Sequence, residues 1–160
     1  ILLRIFPEDV VDRLYDRSGW TRRQTTLGAL GLPFAFASLI LIILTPLKIG
    51  RPVFWIGLVG YLTGTAGFLS SLLSFRRTAP DQPVTTGLYT LSRNPQWVSL
   101  ALAMLSTCLM VGSWTALLLM TGRVIFNHFR LLGEERACLD SYGEEYRCYL
   151  KNVPRYFLFF

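Results

Sequence analysis

Two short polar strings hold most of the side chains able to do chemistry. The first runs Gly87-Leu88-Tyr89-Thr90-Leu91-Ser92-Arg93-Asn94-Pro95-Gln96-Trp97. Asn94-Pro95 reads as a helix start, with Asn capping the free amides and Pro suited to the first helical position. A helix N-terminus presents unpaired N–H groups and a partial positive charge, so it suits an anion. Arg93 stands beside it, between Tyr89 and Trp97. In the second string Arg130 and Glu134 are four residues apart and share a helix face. By itself that spacing describes a surface ion pair worth under about 1 kcal/mol. Glu135 lies seven residues after His128, the only histidine, which reads as an interfacial side chain rather than a base. The sequence has no Ser/His/Asp arrangement, no phosphate-binding glycine loop and no metal-ligand cluster.

The elements that must position these strings are apolar. Hydrophobic residues make up 52% of the 160 and charged residues only 16%, against about 25% charged in soluble domains. Leu27 to Leu44 carries no charge, and neither does Val53 to Phe75, which Arg76-Arg77 closes. About 20 apolar helical residues cross a bilayer core, so each run is long enough to span. Gly57, Gly60, Gly64 and Gly67 line one face of the second run and predict close approach of a neighbouring helix. From Pro95 the chain is apolar to Val111, breaks at Gly112-Ser113-Trp114, and resumes over Thr115–Leu132 as the second arm of a hairpin. Gly133 to Arg155 is polar and helix-prone, with a break expected at Tyr142-Gly143 and a stop at Val153-Pro154.

Residues 1–24 place Phe6, Val10 and Leu14 on one face and charged residues on the other, the pattern of an interfacial amphipathic helix. The expected fold is therefore all-α: a polytopic membrane protein forming a single membrane domain over 1–160. It has the interfacial helix 1–24, a first helix pair over 27–75, and a part over 76–160 that contains the hairpin 95–132 and a C-terminal cytoplasmic helical segment. That makes about four transmembrane helices. The chain begins at Ile1 without Met and shows no cleavable signal peptide, so its true N-terminus is expected further upstream.

Charge placement sets the orientation. With four spans, fourteen of the sixteen basic residues fall on one side and only Lys48 and Arg51 on the other. The positive-inside rule then puts both termini in the cytoplasm, in a cell membrane or the endoplasmic reticulum. The same placement explains the net charge of +6 without nucleic acid. No carboxylate occurs in the first three apolar segments, which disfavours a proton-coupled exporter. Cys108, Cys138 and Cys148 are scattered and form no CxxC pair, so neither a disulfide framework nor a zinc site is expected.

The pattern Gly87-x-Tyr89-x3-Arg93-Asn94-Pro95-x-Trp97 resembles the Gly-x-Tyr…Arg-His-Pro-x-Tyr motif of integral-membrane methyltransferases. These are the isoprenylcysteine carboxyl methyltransferases and the phospholipid methyltransferases. Arg130-x3-Glu134-Glu135, Tyr142-Gly143-Glu144-Glu145-Tyr146, Tyr149 and Val153-Pro154-Arg155 resemble that family's second motif. The likeness covers about residues 76–156, with the membrane hairpin between the two strings. It implies transfer of a methyl group from S-adenosylmethionine at the cytoplasmic membrane face, with S-adenosylhomocysteine as product. It further implies a cofactor site of Asp81, Gln82, Pro83, Val84, Tyr89, Arg93, Asn94, Pro95, Gln96 and Trp97, completed by Glu135. Arg130 and Glu134 would orient or activate the acceptor, a lipid or a small thiol, carboxylate or amine.

The chain departs from the family at Asn94 for His, Trp97 for Tyr, Ser99 for a usual Gly and Cys138 for a usual Leu. Asn cannot take a proton at neutral pH, so position 94 is expected to hold the cofactor rather than act as a base. Membrane sterol reductases, which use a nicotinamide dinucleotide, share a related C-terminal pattern and form one alternative. A non-catalytic membrane scaffold is the other.

Overall fold

The protein was studied as a computed structural model, which describes residues 21–79 and 81–157. Four α-helices and one 3-10 turn make up the described chain, and no β-strand occurs among the described residues. They are α1 (Arg22–Leu44), α2 (Pro52–Arg77), the turn Gly87–Thr90, α3 (Pro95–Val111) and α4 (Trp114–Asn152). Residues 1–20 of the expected amphipathic helix lie outside the described residues. Residues 22–24, which that helix was expected to include, belong to α1 instead. Thr21 caps α1 in a reciprocal box: its hydroxyl accepts from the Gln24 amide, and the Gln24 side chain accepts from the Thr21 amide.

α1 and α2 are long and apolar enough to cross a membrane, and α3 is a shorter apolar helix. Their burial pattern is that of a membrane bundle rather than a soluble core. The residues buried on α1 are Gly31 and Ser38, and those on α2 are Phe54, Gly57, Gly64 and Ser71. Large side chains face outward instead, among them Phe36, Ile40, Ile43, Trp55, Ile56 and Val59. In lipid, where no hydrophobic force drives helices together, small residues hold interfaces and large ones meet the acyl chains.

The glycine face of α2 packs on α3, as its spacing predicts. A Cβ added at Gly64 would lie 2.6 Å from both the Ala103 nitrogen and the Ser99 carbonyl oxygen, so backbone meets backbone there. α1 packs along α4, where Ser38 Oγ donates to the Ala116 carbonyl at 2.9 Å. Gly112 ends α3 in the left-handed conformation, and the next residue, Ser113, caps α4 by accepting from the Ala116 amide. Lys48, in the α1–α2 loop, donates through Nζ to the Gly112 carbonyl at 3.1 Å. That bond places the α1–α2 loop and the α3–α4 hairpin at the same end of the bundle.

One expectation is revised. The second arm of the hairpin does not stop near Leu132; α4 continues through Gly133 as one helix. Gly133 is buried against the Gln24 side chain, and no proline interrupts this stretch. Arg130, Glu134 and Glu135 therefore ride on one rigid rod that also forms the bundle. The expected break occurs at Gly143, whose φ of 55° and ψ of −126° turn the chain. L side chains rarely adopt that backbone, so glycine is the residue for the turn. Beyond it a short helical stretch ends at Asn152, before Val153-Pro154.

A paired-carboxylate site at the end of the bundle

The start of α3, the middle of α4 and the C-terminal segment meet at the end of the bundle away from Lys48. Gly143 reverses the chain, so residues 153–156 run back over residues 92–94. The Arg93 amide donates to the Pro154 carbonyl at 2.9 Å, and Ser92 Oγ donates to the Arg155 carbonyl at 2.8 Å. Tyr149 Oη donates to the Tyr89 carbonyl at 2.6 Å, tying the strap to the 3-10 turn.

Glu135 is the hub of this junction. Its Oε1 accepts from Asn94 Nδ2 at 3.1 Å and from Arg155 Nε at 2.9 Å. Its Oε2 accepts from Arg155 Nη2 at 2.8 Å and from Arg93 Nη1 at 3.3 Å. The Arg155 contact is bidentate, the strongest geometry available to an arginine and a carboxylate. The side chains of Arg93 and Glu135 are only 7% and 8% exposed. Two arginines on one carboxylate leave one positive charge in excess, in a place with little water. Arg93 Nε is buried without a hydrogen-bond partner, as is Gln96 Nε2.

A second rung lies beside the first. Glu134 Oε1 accepts from Arg130 Nε at 3.0 Å, and Glu134 Oε2 accepts from Trp97 Nε1 at 3.2 Å. The Arg130 guanidinium also stacks on the Trp97 ring, 4.6 Å from its centroid. The Arg130 and Glu134 side chains remain 21% and 28% exposed, so this rung is the open side of the junction. Adjacent carboxylates on α4 thus take partners from the first turn of α3, Asn94 for one and Trp97 for the other.

Asn94 behaves differently from the sequence expectation. It occupies the cap position of α3, but its side chain makes no cap hydrogen bond. The Asn94 carboxamide is turned toward Glu135 instead, where its Nδ2 donates a charge-assisted bond to the carboxylate. The first turn of α3 is left without a side-chain cap.

Of the other residues expected at the site, Tyr89 and Pro95 are buried, as are Pro83 and Val84, whereas Asp81 and Gln82 are exposed. The hydrogen bonds described between the two strings begin at residues 89–97. His128 Nδ1 pairs with Tyr156 Oη at 2.7 Å. Arg155 is the residue the sequence reading left without a role. Its signals were its place in the second motif and its position directly after the helix stop at Val153-Pro154. Burial pushes the Tyr146 and Tyr149 hydroxyls well above their ordinary value of 10.0, while Arg93 pulls both partly back. The Arg155 guanidinium is raised in turn, chiefly by its hydrogen bonds to Glu135.

The fold and the site together define a helical protein with two membrane-length helices and a polar, doubly paired carboxylate centre at one end of its bundle. A family model described as phospholipid methyltransferase matches residues 55–145, which is more than half of the chain. The chain belongs to the phospholipid methyltransferase family, a membrane-associated methyltransferase family. No curated protein and no solved structure matches it. The family match runs from α2 through the Gly143 turn; α1 and the Arg155 strap lie outside it. It favours neither the reductase nor the scaffold alternative.

Proposed function

We propose that the chain is an S-adenosylmethionine-dependent methyltransferase acting at the cytoplasmic membrane face on a lipidic acceptor. The observation that carries this reading is the uncompensated positive charge around Glu135. Arg93 Nε lacks a partner, and the nearby start of α3 has no side-chain cap. Both features suit a carboxylate, and the methyl donor carries one. When bound, the donor supplies a methyl group on a sulfonium sulfur, open to in-line displacement.

Within this reading Arg93, Asn94, Pro95, Gln96 and Trp97 hold the donor's carboxylate end, with Tyr89 and Asp81 to Val84 around it. Glu135 fixes Arg93 and Asn94 in place, and Arg155 locks Glu135. Arg130 and Glu134, on the more exposed rung, orient the acceptor toward the donor. Methyl transfer gains mainly from positioning and from exclusion of water, and a braced, half-buried centre provides both. Asn94 serves by hydrogen bonding, which needs no proton transfer.

The orientation draws support from the ends of the bundle. Arg22, Arg23, Arg76, Arg77 and Arg93 lie at the ends of helices on the site's side, opposite Lys48 and Arg51. Radiolabelled methyl transfer by the purified protein to a membrane extract tests the activity. Label in the organic phase, lost in Glu134→Gln, is expected. Label confined to water-soluble acceptors would overturn the lipidic acceptor.

A further inference from the structure

Arg123 is a cation at a depth where charge is costly. α1 and α4 lie antiparallel: Gln24 faces Gly133, Gly28 faces Arg130, Gly31 faces Arg123 and Phe126, and Gly122 faces Phe34. Arg123 is therefore level with Gly31, inside the uncharged run of α1. Its Nη1 donates to Asn127 Oδ1 at 3.2 Å, and no carboxylate among the described residues pairs with it. Asn127 is itself buried, at 8% exposure. The guanidinium packs over the bare backbone of Gly31, where an added Cβ would lie 3.2 Å from Nη1.

Ionisable side chains at membrane depth are expensive, and they mark ligand or ion sites more often than structure. Arg130, two turns along the same face, already has Glu134 and Trp97. Arg123 has only an amide. A planar guanidinium beside a carboxamide is a donor-rich pair that suits the oxygens of a phosphate.

We propose that Arg123 and Asn127 bind the phosphate of a phospholipid headgroup, which resides between α1 and α4 with its acyl chains on the apolar exterior. Leu30 on α1 and Leu118 and Ile125 on α4 supply exposed apolar surface at this depth. The site deepens the methyltransferase reading and rests on it for the identity of the lipid as acceptor. The spacing fits that role. Asn127, which accepts from the guanidinium, precedes Arg130 of the rung by three residues, a rise of about 4.5 Å. That is close to the span of the ester oxygen and two carbons between a headgroup phosphate and its terminal amine. A phosphate held here delivers that amine to the rung.

Native mass spectrometry of the detergent-purified protein, with dioleoyl phosphatidylethanolamine, dioleoylglycerol or inorganic phosphate added, tests the site. The wild type should retain the phospholipid and not the diacylglycerol, and millimolar inorganic phosphate should not displace it. Arg123→Gln should weaken phospholipid retention about tenfold or more, while Arg147→Gln, on the exposed C-terminal helix, should not. Equal retention by Arg123→Gln and wild type, or equal retention of both lipids, would overturn the proposal. Displacement by inorganic phosphate would overturn the lipid assignment. If Arg123→Gln fails to fold, Arg123→Lys and Asn127→Ala give the same comparison: partial loss supports the site and wild-type retention in both contradicts it. Affinity for S-adenosylhomocysteine, measured on the same variants, should stay unchanged. A wild type that binds phospholipid through Arg123 but no S-adenosylhomocysteine would strike the methyltransferase reading and leave the phosphate site standing.

Discussion

Removing the Glu135 carboxylate leaves Arg93 and Arg155 facing each other without a counter-charge in a buried place. Breaking one side of a buried pair costs about 3–5 kcal/mol, more than the pair itself contributes. Glu135→Gln should therefore lower the thermal midpoint of the detergent-purified protein sharply. Adding Arg155→Gln to Glu135→Gln removes one of the stranded charges and should recover part of the loss; a double variant that is simply the sum of its parts would argue against the coupling. The buried tyrosines of the helical stretch after Gly143 make a second residue-scale prediction. Burial raises the folded-state pKa of Tyr146 and Tyr149 above the ordinary value of 10.0. Their stabilising contribution is fully present below pH 10.0. Above it the unfolded chain sheds the phenolic protons while the folded chain keeps them, so stability falls as pH rises. Thermal midpoints measured across that range should decline in the wild type and decline less steeply in Tyr149→Phe, where Tyr146 remains. An equal decline in both would mean that Tyr149 does not carry the effect.

At the scale of elements, the α2–α3 contact is set by where backbone meets backbone. A Cβ at Gly64 meets main-chain atoms of α3, whereas one at Gly60 meets mainly the Ser106 side chain, which can rotate. Gly64→Ala should cost about 1–3 kcal/mol and Gly60→Ala less, as read by thermal unfolding in detergent; the reverse order would contradict the packing. This contact was legible in the sequence because the glycine spacing and the two charge-free runs are local properties. So was the break at Gly143. The site was legible only in part. Arg130–Glu134 is a one-turn pair and follows from spacing alone. The Arg155–Glu135 bond crosses twenty residues and exists only because the chain reverses at Gly143, an outcome that spacing does not encode. Asn94 was misread as a side-chain cap for the same reason: the carboxylate that orients its carboxamide lies forty-one residues away, on α4.

For the whole molecule, the proposed orientation puts the end that carries Glu135 in the cytoplasm. The Lys48–Gly112 bond gathers both loops of one end, and the junction around Glu135 gathers the other. A cysteine introduced at Arg51 should react with a membrane-impermeant maleimide on intact cells. The exposed native Cys148 should react only after the membrane is opened. The opposite pattern would invert the topology and place the site outside.

The central claim is that the excess positive charge around Glu135 receives the carboxylate end of a methyl donor. Calorimetric titration of the detergent-purified protein with S-adenosylhomocysteine measures this without any knowledge of the acceptor. The wild type should bind, and Arg93→Gln should bind at least about tenfold more weakly at a similar thermal midpoint. No heat of binding to the folded wild type at millimolar ligand would contradict the account.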